Sequence, residues 1–156
     1  MLSNARRRVV HRNVTAAPNA TWTGQQIIEA FQWDTSPRYL LRDRDGIHGP
    51  EFVCRIRGIG LEEVVIAPSS PWQNPYVERV IGSIRRECLD QVIVLNEKQP
   101  RRLLRSCLPY YHGSRTHLGL RKGCPEPRLV EPPDRGSIRS EPMVGGLHHL
   151  YLRRAA

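Results

Sequence analysis

What most limits the fold of this chain is an alternation of short apolar runs with stretches of helical period. Val9 to Thr15, Arg38 to Arg42 and Leu61 to Ala67 carry the clustered β-branched, leucine and tyrosine residues of strands, and turn-forming residues bound them. Helices that alternate with strands in this way cover a sheet, which is an α/β architecture. The first helix follows the break at Pro18 and Asn19, with Thr21 or Thr23 as its cap. Trp22, Ile27, Ile28 and Phe31 fall on one side of it through about Trp33. A brief helix is expected over Pro50 to Arg57. The clearest helix runs from Asn74 to about Asp90, where Val77, Val80, Ile81, Ile84 and Cys88 recur with a 3.6-residue period. Its opposite face holds Glu78, Arg79, Arg85 and Arg86. A further helix spans Glu97 to Tyr111. Proline lacks the amide hydrogen, so Pro109 is expected to kink or end it, and Pro100 near its start reads as a second defect. From Arg121 onward Pro125, Pro127, Pro132 and Pro133 interrupt an Arg-rich stretch, which predicts an extended arm or disordered tail. The expected division is a core over 1–120 and a Pro/Arg-rich tail over 121–156.

The 156 residues hold 24 Lys and Arg against 15 Asp and Glu, a formal charge of +9. Most of the positive charge is arginine, whose planar fork suits phosphate, so nucleic acid is one reading and a merely soluble basic protein the other. Cys54, Cys88, Cys107 and Cys124 form no C-x-x-C pair and follow no secretory leader, and they are read as reduced thiols of a cytosolic chain. His112, His117 and Cys124 lack a fourth metal ligand at finger spacing. No apolar run approaches the roughly 18 residues of a membrane span, so no membrane partner is expected.

Chemistry enters where Tyr39, Leu40 and Leu41 stop at Asp43-Arg44-Asp45-Gly46. Acids at the carboxyl end of a buried strand sit where a sheet opens into a crevice, although the same residues are good turn formers anywhere. Glu78, near the start of the clearest helix, is either part of the same site or a helix-start acid favoured by the macrodipole. It follows a loop from Pro68 to Val77, rich in Ser and Pro, whose length and polarity suit a lid.

Leu41 to Gly46, Pro50-Glu51-Phe52, Ala67 to Asn74, Glu78-Arg79 and Arg85 to Cys88 together resemble the integrase core (DDE) domain of bacterial insertion-sequence transposases. Tyr110-Tyr111 with Arg115 and His117 is similar to that family's downstream element, so the resemblance covers roughly Arg6 to Leu120. The family is related to retroviral integrases and has an RNase H-like fold. In it the second acid ends a strand, and the third is a Glu on a helix about thirty-five residues later. Asp43 and Glu78 have 34 residues between them, and Asp45 would leave 32, so Asp43 is taken as the second acid with Asp45 as the alternative. The resemblance implies DNA integration and recombination by phosphoryl transfer, with two Mg²⁺ or Mn²⁺ ions held by carboxylates. DNA, as transposon ends and target, would lie along Asn74, Arg79, Arg85 and Arg86.

The family's first acid belongs to a strand ahead of Val9 to Thr15, and no Asp or Glu precedes Glu29 in this sequence. Glu29 and Asp34 fall on or just after the intervening helix, the wrong element for that ligand. The expectation is therefore a partial RNase H-like mixed sheet flanked by helices, lacking its first strand, truncated at the amino terminus and inactive alone. The alternative is a catalytically dead basic remnant that binds DNA or interferes with an intact transposase by joining its assemblies. Self-association is a further expected partnership, and the cytoplasm and nucleoid of a bacterium the expected place.

Overall fold

A computed structural model describes residues 1–31 and 36–155. The chain divides into two compact units, Met1–Leu2 with Val10–Val80 and Ser3–Val9 with Ile81–Ala156. Among the described residues it is a mixed α/β protein of four α-helices and three two-stranded sheets. Among the described residues no helix is long and apolar enough to cross a membrane.

In the first unit, β3 (Tyr39–Arg42) pairs in parallel with β4 (Glu62–Val65), in register from Tyr39 with Glu62 to Arg42 with Val65. A parallel pair cannot be closed by a tight hairpin, so the chain crosses over through a 3-10 turn at Gly46–His48 and helix α2 (Pro50–Gly58). Pro50 opens α2 at a position whose N–H would have no helical partner anyway. The helix ends because Gly60 takes φ +78°, a left-handed conformation that costs glycine little. The Leu61 N–H then reaches back to the Ile56 carbonyl and the Gly60 N–H to that of Arg57, each at 3.0 Å. This pair of hydrogen bonds closes a Schellman cap, and the side chains of Leu61 and Ile56 meet in the core, as that cap favours.

The core gathers Ile27, Phe52, Ile56 and Leu61, with Phe31, Leu40 and Val53 packed around them. Each such side chain contributes about 1.5–3 kcal/mol of gross burial energy. Helix α1 (Ala20–Ala30) supplies Ile27. Its cap is Asn19, whose Oδ1 accepts the Trp22 N–H at 2.8 Å, rather than Thr21 or Thr23. Thr21 instead donates to Glu51 of α2. The expected apolar face is corrected in part: Gln26 is buried and Ile28 is exposed. Gln26 is satisfied by Asn13 Nδ2 at 2.8 Å and His11 Nε2 at 2.9 Å. Those bonds also explain why the strand expected over Val9 to Thr15 shrinks to β2 (Arg8–Val9), paired with β1 (Leu2–Ser3). Side chains at 11 and 13 hold the segment on α1 rather than in a ladder. Trp33 and Asp34 lie outside the described residues.

Helix α3 (Pro75–Glu87) buries Val80 and Ser83 and leaves Ile81 exposed, another departure from its apolar stripe. Helix α4 (Lys98–Gly113) runs on through Pro109, where a kink or an end was expected. Pro109 is exposed, so the Arg105 carbonyl it leaves without a donor can be solvated. Pro100 stands in the first turn, where a missing N–H costs nothing, and is no defect.

The extended or disordered tail is also corrected. Residues β5 (Ser137–Met143) and β6 (His148–Arg154) form an antiparallel hairpin, Ser137 opposite Arg154 and Met143 opposite His148. Gly145 and Gly146, both at positive φ, turn the chain between them. The hairpin is fastened because Val144 is buried with Cys88 and Cys107 while Met143, Leu103 and Tyr110 pack on that cluster. The His148 ring stacks on Tyr110 at 4.2 Å, with its Nε2 3.1 Å from the Glu87 carbonyl oxygen.

Two further ties hold the second unit. Arg115 grips the Glu87 carboxylate with Nε at 2.8 Å and Nη2 at 2.5 Å, a fork on both oxygens. These hydrogen bonds hold the Glu87 carboxyl below its usual range, against an upward push from burial. Cys88 and Cys107, 19 apart in sequence, are joined as a disulfide, which replaces the expected four reduced thiols. Wide sequence spacing hid the fact that the end of α3 and the middle of α4 share one core.

Three outcomes follow from these features. Gly60→Ala should cost the first unit about 1 kcal/mol in chemical denaturation, because a Cβ there meets nothing and only the positive φ is penalised. Glu87→Gln should cost about 2 kcal/mol at neutral pH, the range for hydrogen bonds to a charged group. The native contribution is complete above the unfolded carboxyl value and is lost as pH falls through the lower folded value, so the gap between the two proteins should close in acid. Thiol titration of the denatured, unreduced chain should count two free cysteines, Cys54 and Cys124, and four after reduction.

Candidate functional site

The end of β3 is fixed before any acid appears. The Arg42 guanidinium binds Glu63 of β4 with Nε at 3.0 Å and Nη2 at 2.6 Å, and also donates to the Asp43 carbonyl at 2.8 Å. Arg44 Nε donates to the Ile66 carbonyl at 3.2 Å, just past β4. The chain thus leaves the sheet at Asp43 in a set direction.

Asp43 and Asp45 both do the turn chemistry their sequence suggests. Asp43 Oδ1 accepts the Asp45 N–H at 3.1 Å, and Asp45 Oδ1 accepts the Ile47 N–H at 3.0 Å, capping the 3-10 turn at Gly46–His48. Asp43 remains 59% exposed at its side chain, so its carboxylate is open to solvent or a ligand.

His48, which the sequence reading passed over, joins this group. Its Nδ1 lies 3.2 Å from Asp43 Oδ1, close enough for charge to be felt but poorly aligned as a hydrogen bond, and its ring packs on Phe52 at 4.8 Å. Burial pushes the His48 pKa down and outweighs the opposing pull of Asp43. The spacing of Asp43 to His48 was the available signal, but a histidine in a turn has too many uses to stand out.

Glu78 stands in the first turn of α3, exposed, where the helix dipole favours an acid. The loop before it is held from within. The Ala67 N–H donates to Gln73 Oε1 at 2.8 Å, Ser70 Oγ to the Pro68 carbonyl at 3.1 Å, and Pro71–Gln73 form a 3-10 turn. Asn74 accepts the Glu78 N–H through its carbonyl at 3.3 Å. Trp72, at 69% exposure, stands out from this loop.

No hydrogen bond or ion pair joins Glu78 to Asp43 or Asp45 among the described residues. Asp43 and Glu78 have the oxygen donors that a hard divalent ion prefers. Yet no three His, Cys, Asp or Glu side chains among the described residues gather as ligands. The residues present do not by themselves fit the expected pair of Mg²⁺ or Mn²⁺ ions.

Among the arginines expected to meet DNA, Arg79, Arg85 and Arg86 are exposed on α3, and Arg85 lies 3.7 Å from Asp90. The larger positive charge lies elsewhere. The second unit has 17 of the 24 Lys and Arg and 7 of the 15 Asp and Glu, a formal +10, which leaves 7 against 8, or −1, on the unit that bears Asp43 and Glu78.

The Tyr110-Tyr111, Arg115 and His117 element is structural in this fold. Arg115 holds Glu87, and the His117 ring meets Tyr111 edge-on at 4.9 Å. The His117 backbone bridges to Gly123.

Residues 59–125 match the family model of the integrase core domain. The chain is also 32% identical, over 75 residues, to the insertion element IS476 uncharacterized 39.2 kDa protein of Xanthomonas euvesicatoria. That match covers 45% of this chain and 22% of the relative, so the chain corresponds to about a fifth of that protein's length. No solved structure matches. Residues 59–125 are therefore similar to an integrase core domain, and part of the chain is similar to a protein of an insertion element.

Proposed function

We propose that the chain is a transposase core segment of RNase H-like descent, in which Asp43 and Glu78 are two of the carboxylates of a phosphoryl-transfer site. One observation carries this reading. Asp43 leaves the end of a parallel strand and Glu78 stands in the first turn of a helix, with 34 residues between the two and the integrase core match running from 59 through that helix. Asp43 is preferred to Asp45 because it leaves 34 residues before Glu78, nearer the family spacing than the 32 that Asp45 leaves. Asn74, Arg79, Arg85 and Arg86 would lie along the DNA, and divalent ions would bind only when a third acid joins the two. A site that depends on a charge-balanced metal pair loses function steeply when one ligand is missing, so the chain alone should not transfer strands. Its domains would be a core over 1–120 and the segment 121–156, which ends in the hairpin.

A second reading is favoured by the +10 of the second unit: a protein that binds DNA without cutting it and joins the assemblies of an intact transposase.

An assay of nicking and strand transfer on labelled duplex, with Mg²⁺ or Mn²⁺, separates the two. The unmodified chain and Glu78→Gln are both expected to leave the DNA intact. The chain extended by an Asp-bearing strand is expected to nick it, and to lose that activity with Asp43→Asn or Glu78→Gln. Nicking by the unmodified chain that Glu78→Gln abolishes would overturn the claim of inactivity. An extended chain that still cuts nothing would sink the assignment of both acids and leave the binding protein.

A further inference from the structure

Helix α4 has two faces of opposite character. Leu103, Leu104, Cys107, Leu108 and Tyr111 face inward or are partly covered. Lys98, Arg101, Arg102 and Arg105 all stand exposed on the other side, and with Ser106 they line one shallow depression. The spacings of 3, 4 and 7 from Lys98 place the four cations within about 100° of helix surface. Arg101 lies 3.9 Å from Glu97. From 91 to 125 Glu97 is the only acid in the sequence, against seven Lys and Arg. Four like charges on about two turns of helix repel one another, and a free helix gains nothing from that arrangement.

We infer that this stripe on α4, rather than the arginines of α3, is the main phosphate-backbone contact of the chain, and that its ligand is duplex DNA bound without sequence preference. The choice of DNA rests on the transposase reading; the choice of a phosphate polyanion rests on the stripe itself. Lys98 to Arg105 spans about 10 Å of helix. Duplex DNA carries about one charge per 1.7 Å, or some six phosphates in that length, enough for each cation to meet its own. Three of the four are arginine, whose fork binds two phosphate oxygens at once, whereas an acidic protein surface offers carboxylates at irregular spacing. Pro109, one turn beyond Arg105, is exposed, so that end of the face carries no bulky side chain to hold a duplex off.

The test is fluorescence anisotropy of a labelled random-sequence 20-base-pair duplex across NaCl concentrations. It compares the full chain, Arg101→Gln/Arg102→Gln/Arg105→Gln, and a control with the same charge change, Arg121→Gln/Arg135→Gln/Arg139→Gln, all exposed in the same unit. Circular dichroism verifies that all three fold. Each lost phosphate contact removes about 0.9 from the slope of log affinity against log salt, so the α4 variant should lose roughly 2.7 and bind on the order of a hundredfold more weakly at 0.1 M salt. The control should lose less than a third as much.

Equal losses in both variants, or an unchanged slope in the α4 variant, would overturn the stripe while DNA binding by the full chain left the transposase reading standing. Absence of binding by the full chain at low salt would take down the stripe and the DNA-binding half of that reading together. Displacement by polyglutamate as effective as displacement by unlabelled duplex, at matched charge, would reassign the face to acidic proteins.

Discussion

A parallel pair of strands has to be joined by a crossover, and the order of the first unit follows from that single requirement. Because β3 and β4 run the same way, α2 must lie between them in sequence and return the chain to the same edge. Its return is set by one backbone conformation at Gly60, which brings Leu61 under Ile56 and starts β4 in register. The Arg42 grip on Glu63 then locks the far end of the pair. Asp43 therefore emerges at a defined point although the turn it enters is solvated. Two four-residue strands are a slender sheet, and the cluster around Phe52 and Ile56 carries the burial that the sheet does not.

The second unit is organised by fastening rather than by a ladder. Glu87 takes the Arg115 fork on its carboxylate and the His148 ring on its carbonyl, so one residue at the end of α3 anchors both the chain beyond α4 and the hairpin. The Cys88–Cys107 link adds a covalent tie one residue further on. Such a unit keeps its shape through a few strong directional contacts, in which a lost partner leaves a half-buried charge uncompensated.

The helices, the β3 and β4 strands and the places of Asp43 and Glu78 along them were legible because each depends on neighbours in sequence. Periodicity places Val77, Val80 and Ile84 on one side of α3 whatever surrounds them. Longer-range contacts were not legible. Nothing local distinguishes Glu87 from Glu78 until Arg115, 28 residues on, is folded against it. The α1 cap was misplaced because Thr21 and Thr23 suit the role in sequence as well as Asn19 does, and the choice rests on the extended backbone that Asn19 takes in the fold. The hairpin was hidden by composition: the prolines before it and Pro142 within β5 read as breakers, and its strands are stable only once Val144 finds the cysteine pair. The missing signal at Gln26 is of the same kind, since a buried amide is tolerable only with its partners His11 and Asn13 in place.

The uneven division of charge gives the two units different thermodynamic surroundings. A compact unit at +10 stores self-repulsion that counterions relieve, while a unit at −1 stores almost none. Added salt or any polyanion that binds the folded form should therefore raise the melting transition of the second unit and leave that of the first nearly where it was. In dilute buffer the second unit therefore carries the larger self-repulsion, and a polyanion bound to its folded form would relieve it.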